Sequence, residues 1–154
     1  MTAYSSPIMV QTIAASQNRN NAAVVLFNTA LAAGQQRQFW AWLTRRPTAL
    51  RHLPAGAGQG GRYAGRQWVA LADIRGSEGR TKGFDDRFNP LSSQTRQRWQ
   101  SVANAIEDGV HLPPVELIQV AADYYVRDGH HRISVAAALG QAEIEAVVTQ
   151  WNRD

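Results

Sequence analysis

Between Asn18 and Ala33 the apolar residues Val24, Phe27 and Leu31 recur at i, i+3 and i+7, the spacing of one helix face, and Gly34 supplies a stop. A second, shorter helix is predicted over 35–45, where Phe39 and Leu43 share a face and Pro47 enforces an end. Residues 1–17 carry no periodic signal and are expected to fray. The stretch PAGAGQGG at 54–61 reads as a flexible joint, because glycine there adds backbone freedom and nothing to bury. Residues 18–61 are therefore expected to form a helical extension with its joint, ahead of a domain at 62–154.

Beyond the joint the period changes. QWVALADI at 67–74 alternates and predicts a strand. Residues 75–90, RGSEGRTKGFDDRFNP, read as a long loop, a class of segment that often carries function. A helix with a Ser or Thr cap follows over 91–109, with Trp99, Val102 and Ile106 on its apolar face and Gly109 at its end. PPVELIQV at 113–120 is a strand, AAD a turn, and YYVR at 124–127 a second strand. Asp128-Gly129 turns the chain into a helix from His130 to Leu139, which Gly140 ends, and 142–151 is a last strand with Ile144, Ala146 and Val148 alternating. Strand, long loop, helix, strand, strand, helix, strand specify a compact α+β domain.

With 154 residues and 44% hydrophobic content the chain can build a proper core. It contains no cysteine, which removes disulfides, thiolate metal sites and cysteine nucleophiles. No apolar run reaches the ~18–20 residues a membrane span needs, and no basic segment precedes an apolar one at the start, so a cytoplasmic protein with no membrane partner is expected. The formal charge is +4, and all sixteen basic residues except Lys82 are arginine. Arginine's planar fork matches phosphate, so this bias points weakly to phosphate or nucleic acid.

The candidate chemistry gathers at two helix starts. A helix N-terminus presents amides without intrahelical acceptors and a partial positive charge, which together favour anions. Both starts carry cations and no acid: Arg96 and Arg98 on the first, His131 and Arg132 on the second. Each opposes the macrodipole at roughly 0.3–1 kcal/mol, a cost that a bound anion would remove. Glu107 and Asp108 sit equally against the dipole at the end of the first helix, so charge placement alone decides little. Gly129 before the second helix admits close approach of a phosphate, or serves an ordinary strand-to-helix turn. His130 and His131 point about 100° apart on a helix and lack the i, i+4 partner of a zinc motif, so no metal site is expected. Glu78, in RGSEGR, is a solvated acid or a general base.

The succession PPVELIQV, YYVRDGHHRISVAAALG and AEIEAVVTQ resembles the superfamily that unites ParB N-terminal domains with sulfiredoxins, over residues 67–151. It is similar to the Pro-Pro strand, Gly-Gly-Cys-His-Arg turn, helix and final strand of sulfiredoxins, and to the Gly-Glu-Arg-Arg box of ParB. ParB-like free serine kinases carry Asp-Gly-His-Thr-Arg, which Asp128, Gly129, His130 and Arg132 match, with His131 in place of the threonine. The resemblance implies a ParB/sulfiredoxin-like mixed sheet with helices and a site for a nucleoside triphosphate, ATP or CTP, with Mg2+. It implies that Asp128, Gly129, His131 and Arg132 hold phosphate, helped by Arg80, Thr95 and Arg98, and that Glu78 and His130 assist hydrolysis or phosphoryl transfer. The departures matter as well. His130 replaces both the sulfiredoxin cysteine and the ParB glutamate, so sulfinic-acid reduction is not expected and ParB-type CTP hydrolysis is in doubt. Nothing after the last strand matches ParB's helix-turn-helix, so a partition clamp is not expected.

On this reading Arg132→Ala abolishes nucleotide binding and leaves the fold intact. The alternative is a nucleic-acid-binding module, with or without nuclease activity, that uses the same phosphate cradle and in which Arg37, Arg45, Arg46 and Arg51 interleave with Phe39, Trp40 and Trp42. A competing reading of that stripe has the aromatics packed on the domain and the arginines exposed. A third expectation is a nucleotide sensor whose extension makes a homodimer.

Overall fold

The computed structural model describes residues 7–57, 60–79 and 82–151. They form a mixed six-stranded sheet and three α-helices: α1 Pro7–Thr44, β1 Arg51–His52, β2 Arg62–Ala70, β3 Ile74–Ser77, α2 Arg96–Glu107, β4 Val115–Val120, β5 Asp123–Asp128, α3 His130–Ala138 and β6 Glu143–Trp151. The sheet order is β1-β3-β5-β4-β6-β2. β3 runs parallel to β5 and β4 parallel to β6, while β4–β5 and β2–β6 are antiparallel. Phe27, Trp99, Ala103, Ile133 and Val135 of the helices join Val69, Val115, Leu117, Ala146 and Val148 of the sheet in one core.

The long N-terminal helix departs from its sequence reading. Instead of fraying over 7–17 and breaking at Gly34, α1 runs unbroken from Pro7 to Thr44; residues 1–6 of the expected frayed start lie outside the described residues. Gly34 is a point of close approach and not a stop: a Cβ there would lie 2.6 Å from the Pro90 carbonyl oxygen and 3.1 Å from Asn89 Cβ. Nor is this helix a detached appendage. Ala23, Phe27 and Ala30 are buried, and the Phe27 ring meets Trp99 edge-on at 5.4 Å. Arg51–His52 adds an edge strand beside β3. Gly34→Ala is accordingly expected to lower stability in urea melting. Alanine's gain of about 1 kcal/mol in helix propensity loses to overpacking of about 1–3 kcal/mol against backbone that cannot swing away. A stabilised variant would refute this packing.

The predicted strand 67–74 is two strands separated by a 3-10 turn at Leu71–Asp73. They cannot be one, because β2 pairs with β6 at one edge while β3 pairs with β5 near the other. The expected Ser or Thr cap of the following helix is also absent. A 3-10 turn, Ser93–Thr95, runs directly into α2, and no side chain caps either segment. Arg96 stacks over the Phe27 ring at 5.0 Å, which removes it from the phosphate cradle.

The 75–90 segment is only partly a surface loop. Phe84 and Phe88 are in the core, and Asp85 is fully buried. One Asp85 oxygen accepts from the amides of Arg87 and Asn89 at 2.9 and 2.8 Å; the other accepts from Asn89 Nδ2 at 3.0 Å and Arg37 Nε at 2.9 Å. Arg37 also reaches Asp86 at 2.5 Å, so α1 clamps this loop. Burial alone would lower the Arg37 pKa, but hydrogen bonds to Asp86 and Asp85 outweigh it and raise the value above its already high norm. The Arg37 guanidinium therefore stays charged throughout the ordinary pH range. Among the described residues no helix is long and apolar enough to cross a membrane.

Candidate functional site

The site is built where β5 ends and α3 begins. Gly129 has φ 107° and ψ 20°, in the left-handed region that favours glycine. A Cβ there would lie 2.5 Å from Val115 Cγ1 and 2.8 Å from Val115 Cβ. Its carbonyl accepts the Ile133 N–H at 3.0 Å, so the first-turn amides ahead of Ile133 lie beyond the intrahelical ladder. Arg132 turns back over this corner. Its Nη1 donates to the carbonyls of Pro113 and, at 2.9 Å, Pro114, and its Nη2 donates to Asp128 at 2.6 Å. Arg132 and Asp128 thus tie the α3 start to the entrance of β4.

His130 is 7% exposed and its Nε2 lies 2.7 Å from Ser77 Oγ at the end of β3. Ser77 Oγ is also 3.3 Å from the Val126 carbonyl and 3.3 Å from the Gly79 amide. A hydroxyl has one proton and two lone pairs. All three contacts are met when His130 Nε2–H and Gly79 N–H donate to Oγ and the hydroxyl donates to Val126; Nδ1 is then the acceptor of the neutral ring. Phe84 stacks on His130 at 6.2 Å and meets His131 edge-on at 5.5 Å, so one loop aromatic seats both histidines. Among the described residues no three His, Asp or Glu side chains converge as a metal site would require.

A cavity of about 560 Å³ opens on this corner. It brings together Glu78, Arg98, Asp128, Gly129, His130, His131 and Arg132, seven of the residues the sequence singles out, from three separate segments. Val102, Leu112 and Pro113 supply an apolar wall. Thr95 does not line the cavity; its Oγ1 is buried and has no hydrogen-bond partner among the described residues. Arg80 lies outside the described residues. The sequence reading missed Arg127, Ser77 and Phe84. Arg127 stands immediately before the Asp-Gly turn, and that adjacency was the available signal.

The charges are arranged in pairs with one exception. Glu78 accepts from Arg127 Nε at 3.0 Å and Nη2 at 3.5 Å, and Asp128 holds Arg132. Arg98 is exposed and has no acidic partner among the described residues, so it is the cation available to an incoming anion. The cavity carries three arginines against two carboxylates before its histidines are counted.

No family model matches the chain, and no curated protein matches it. Among solved structures the crystal structure of sulfiredoxin from Arabidopsis thaliana is similar at TM-score 0.44 and 21% identity, over 56% of this chain and 86% of that one. A likeness at this level concerns the fold alone.

Proposed function

We propose that the cavity at the α3 start binds a nucleoside triphosphate. The observation that carries this reading is the convergence of the α3 N-terminus with Arg98, Arg127 and two histidines in one concave site. A volume of about 560 Å³ suits a ligand of that size. In this reading the amides of the first α3 turn and Arg98 would hold phosphate oxygens, and Val102, Leu112 and Pro113 would offer apolar surface to the rest of the ligand.

Arg132 has a different part in this scheme from the one the sequence suggests. Three of its five donors are spent on Pro113, Pro114 and Asp128, so it shapes the cradle more than it grips the ligand. Arg132→Ala would therefore disturb fold and binding together, and Arg98 is the cleaner probe. Mg2+ would arrive with the triphosphate, because both cavity carboxylates already hold arginines. Cleavage or transfer of the terminal phosphoryl is a further step. Glu78 is held by Arg127, and a triphosphate competing for Arg127 would release it to act as a base. His130, fixed by Ser77, would face the same phosphate from the helix start.

A nucleic-acid surface has less support. The aromatics Phe39, Trp40 and Trp42 are exposed, against the packed arrangement considered from sequence, but Arg37 beside them is committed to Asp85 and Asp86. Arg51 sits beside Asp123 at 3.8 Å, and Arg45 and Arg46 alone leave few cations for a phosphate backbone. A thermal-shift series with ATP, CTP, GTP and ADP, with and without magnesium, tests the proposal. A ligand that binds only the folded state must raise the melting temperature. A rise with triphosphates supports the reading, and no rise with any of them overturns it.

A further inference from the structure

We infer that the outer face of α1 is a homodimer interface in which two copies of the helix pack antiparallel about a two-fold axis near Val25. This rests on α1 alone and is independent of the nucleotide reading. Nine of the thirteen exposed large apolar side chains among the described residues lie on α1. The helix has only two charged residues, Arg19 and Arg37, and both turn to the body, toward Asp108 and toward Asp85 and Asp86. An exposed helix 38 residues long with an uncharged outer face is not a solvated helix, which would carry charge on that face.

The outer face has the geometry of a helix–helix seam. Val25, Thr29, Ala32, Gln36, Phe39 and Leu43 follow alternating steps of four and three. At about 100° per residue they lie opposite Ala23, Phe27, Ala30 and Gly34, the positions that face the core. Small residues at its middle form a shallow groove, which allows a second helix to come close.

A second copy is the occupant that the two ends require. Residues 11–22 are all exposed, and the first ties to the body are Arg19–Asp108 at 3.2 Å and Asn20–Asn104 at 2.8 Å. Helical turns of that length are marginal in water without a packing partner. At the other end Phe39 and Leu43 are more than half exposed. Antiparallel pairing about Val25 answers both, setting Phe39 of each copy against Gln11 of the other and Gln36 against Ala14. A strip about 57 Å long and about 10 Å wide buries roughly 600 Å² per copy, or about 1,200 Å² in all. That is the lower end of stable interfaces, so a reversible dimer follows.

Sedimentation velocity of the full chain over a range of micromolar concentrations reads the association, and the absence of native cysteine permits a geometric check. The expected result is a concentration-dependent dimer that Phe39→Glu converts to a folded monomer. Under oxidation Val25→Cys should crosslink the two copies, whereas Leu43→Cys should not, because its two copies stand roughly 50 Å apart. A monomer at every concentration overturns the inference. So does a dimer that ignores Phe39→Glu, one that Leu43→Cys crosslinks, or one that Val25→Cys leaves unlinked.

Discussion

Gly129→Ala is expected to destabilise the protein by about 3 kcal/mol, which for a chain of this size lowers the melting temperature by ~6–12 °C. Two costs add. An L-residue in the left-handed region loses about 1–2 kcal/mol. The new methyl would also stand 2.5 Å from Val115 Cγ1, and relieving that overlap means moving either β4 or the start of α3, at about 1–3 kcal/mol. The displaced element carries the cradle, so ligand binding should fall with stability. Differential scanning calorimetry checks the first effect, and a shift under about 2 °C would remove Val115 as the reason for glycine here.

Asp85→Ala should cost more still, about 3–5 kcal/mol in denaturant unfolding, the usual range for breaking a buried ion pair by deleting one partner. Four hydrogen-bond donors converge on a carboxylate that has no solvent exposure. Their loss frees the turn that holds Phe84 against His130 and His131. Arg37→Ala leaves the carboxylate its three other donors and should cost less, about 2 kcal/mol. A double-mutant cycle separates the pair from its surroundings: strong coupling between Arg37 and Asp85 is expected, and additive losses would mean that α1 does not clamp the loop.

Both predictions rest on residues that the sequence displays but whose roles it hides. Local pattern was enough for the order of elements from α2 onward, because alternation in 142–151 and helical spacing in 91–109 are local consequences of one buried face. The turn at Asp128-Gly129 was legible for the same reason. Local pattern failed where the cause was distant. Gly34 looks like a helix stop because the carbonyl it must approach belongs to Pro90. Residues 11–22 of α1 are exposed throughout among the described residues, so no buried face imposes an amphipathic period on them. GFDDRFNP has the composition of a loop, and only its fold puts Phe84, Asp85 and Phe88 in the interior.

The candidate site divides in the same way. The cluster from Asp128 to Arg132 is contiguous and could be read directly. That Arg132 and Asp128 satisfy each other, that Arg127 holds Glu78 and that Ser77 fixes His130 are tertiary facts. They redistribute the roles: Arg98 becomes the available cation, and Arg132 part of the frame.

Calorimetric titration of the full chain with ATP and with CTP, each with magnesium, in the wild type and in Arg98→Ala, tests the central claim most directly. Saturable one-site binding of a triphosphate is expected, weakened about tenfold or more in Arg98→Ala by loss of a charge-assisted contact, with the melting temperature of the unliganded variant unchanged. Absence of binding by either nucleotide, or an affinity indifferent to Arg98, would contradict it.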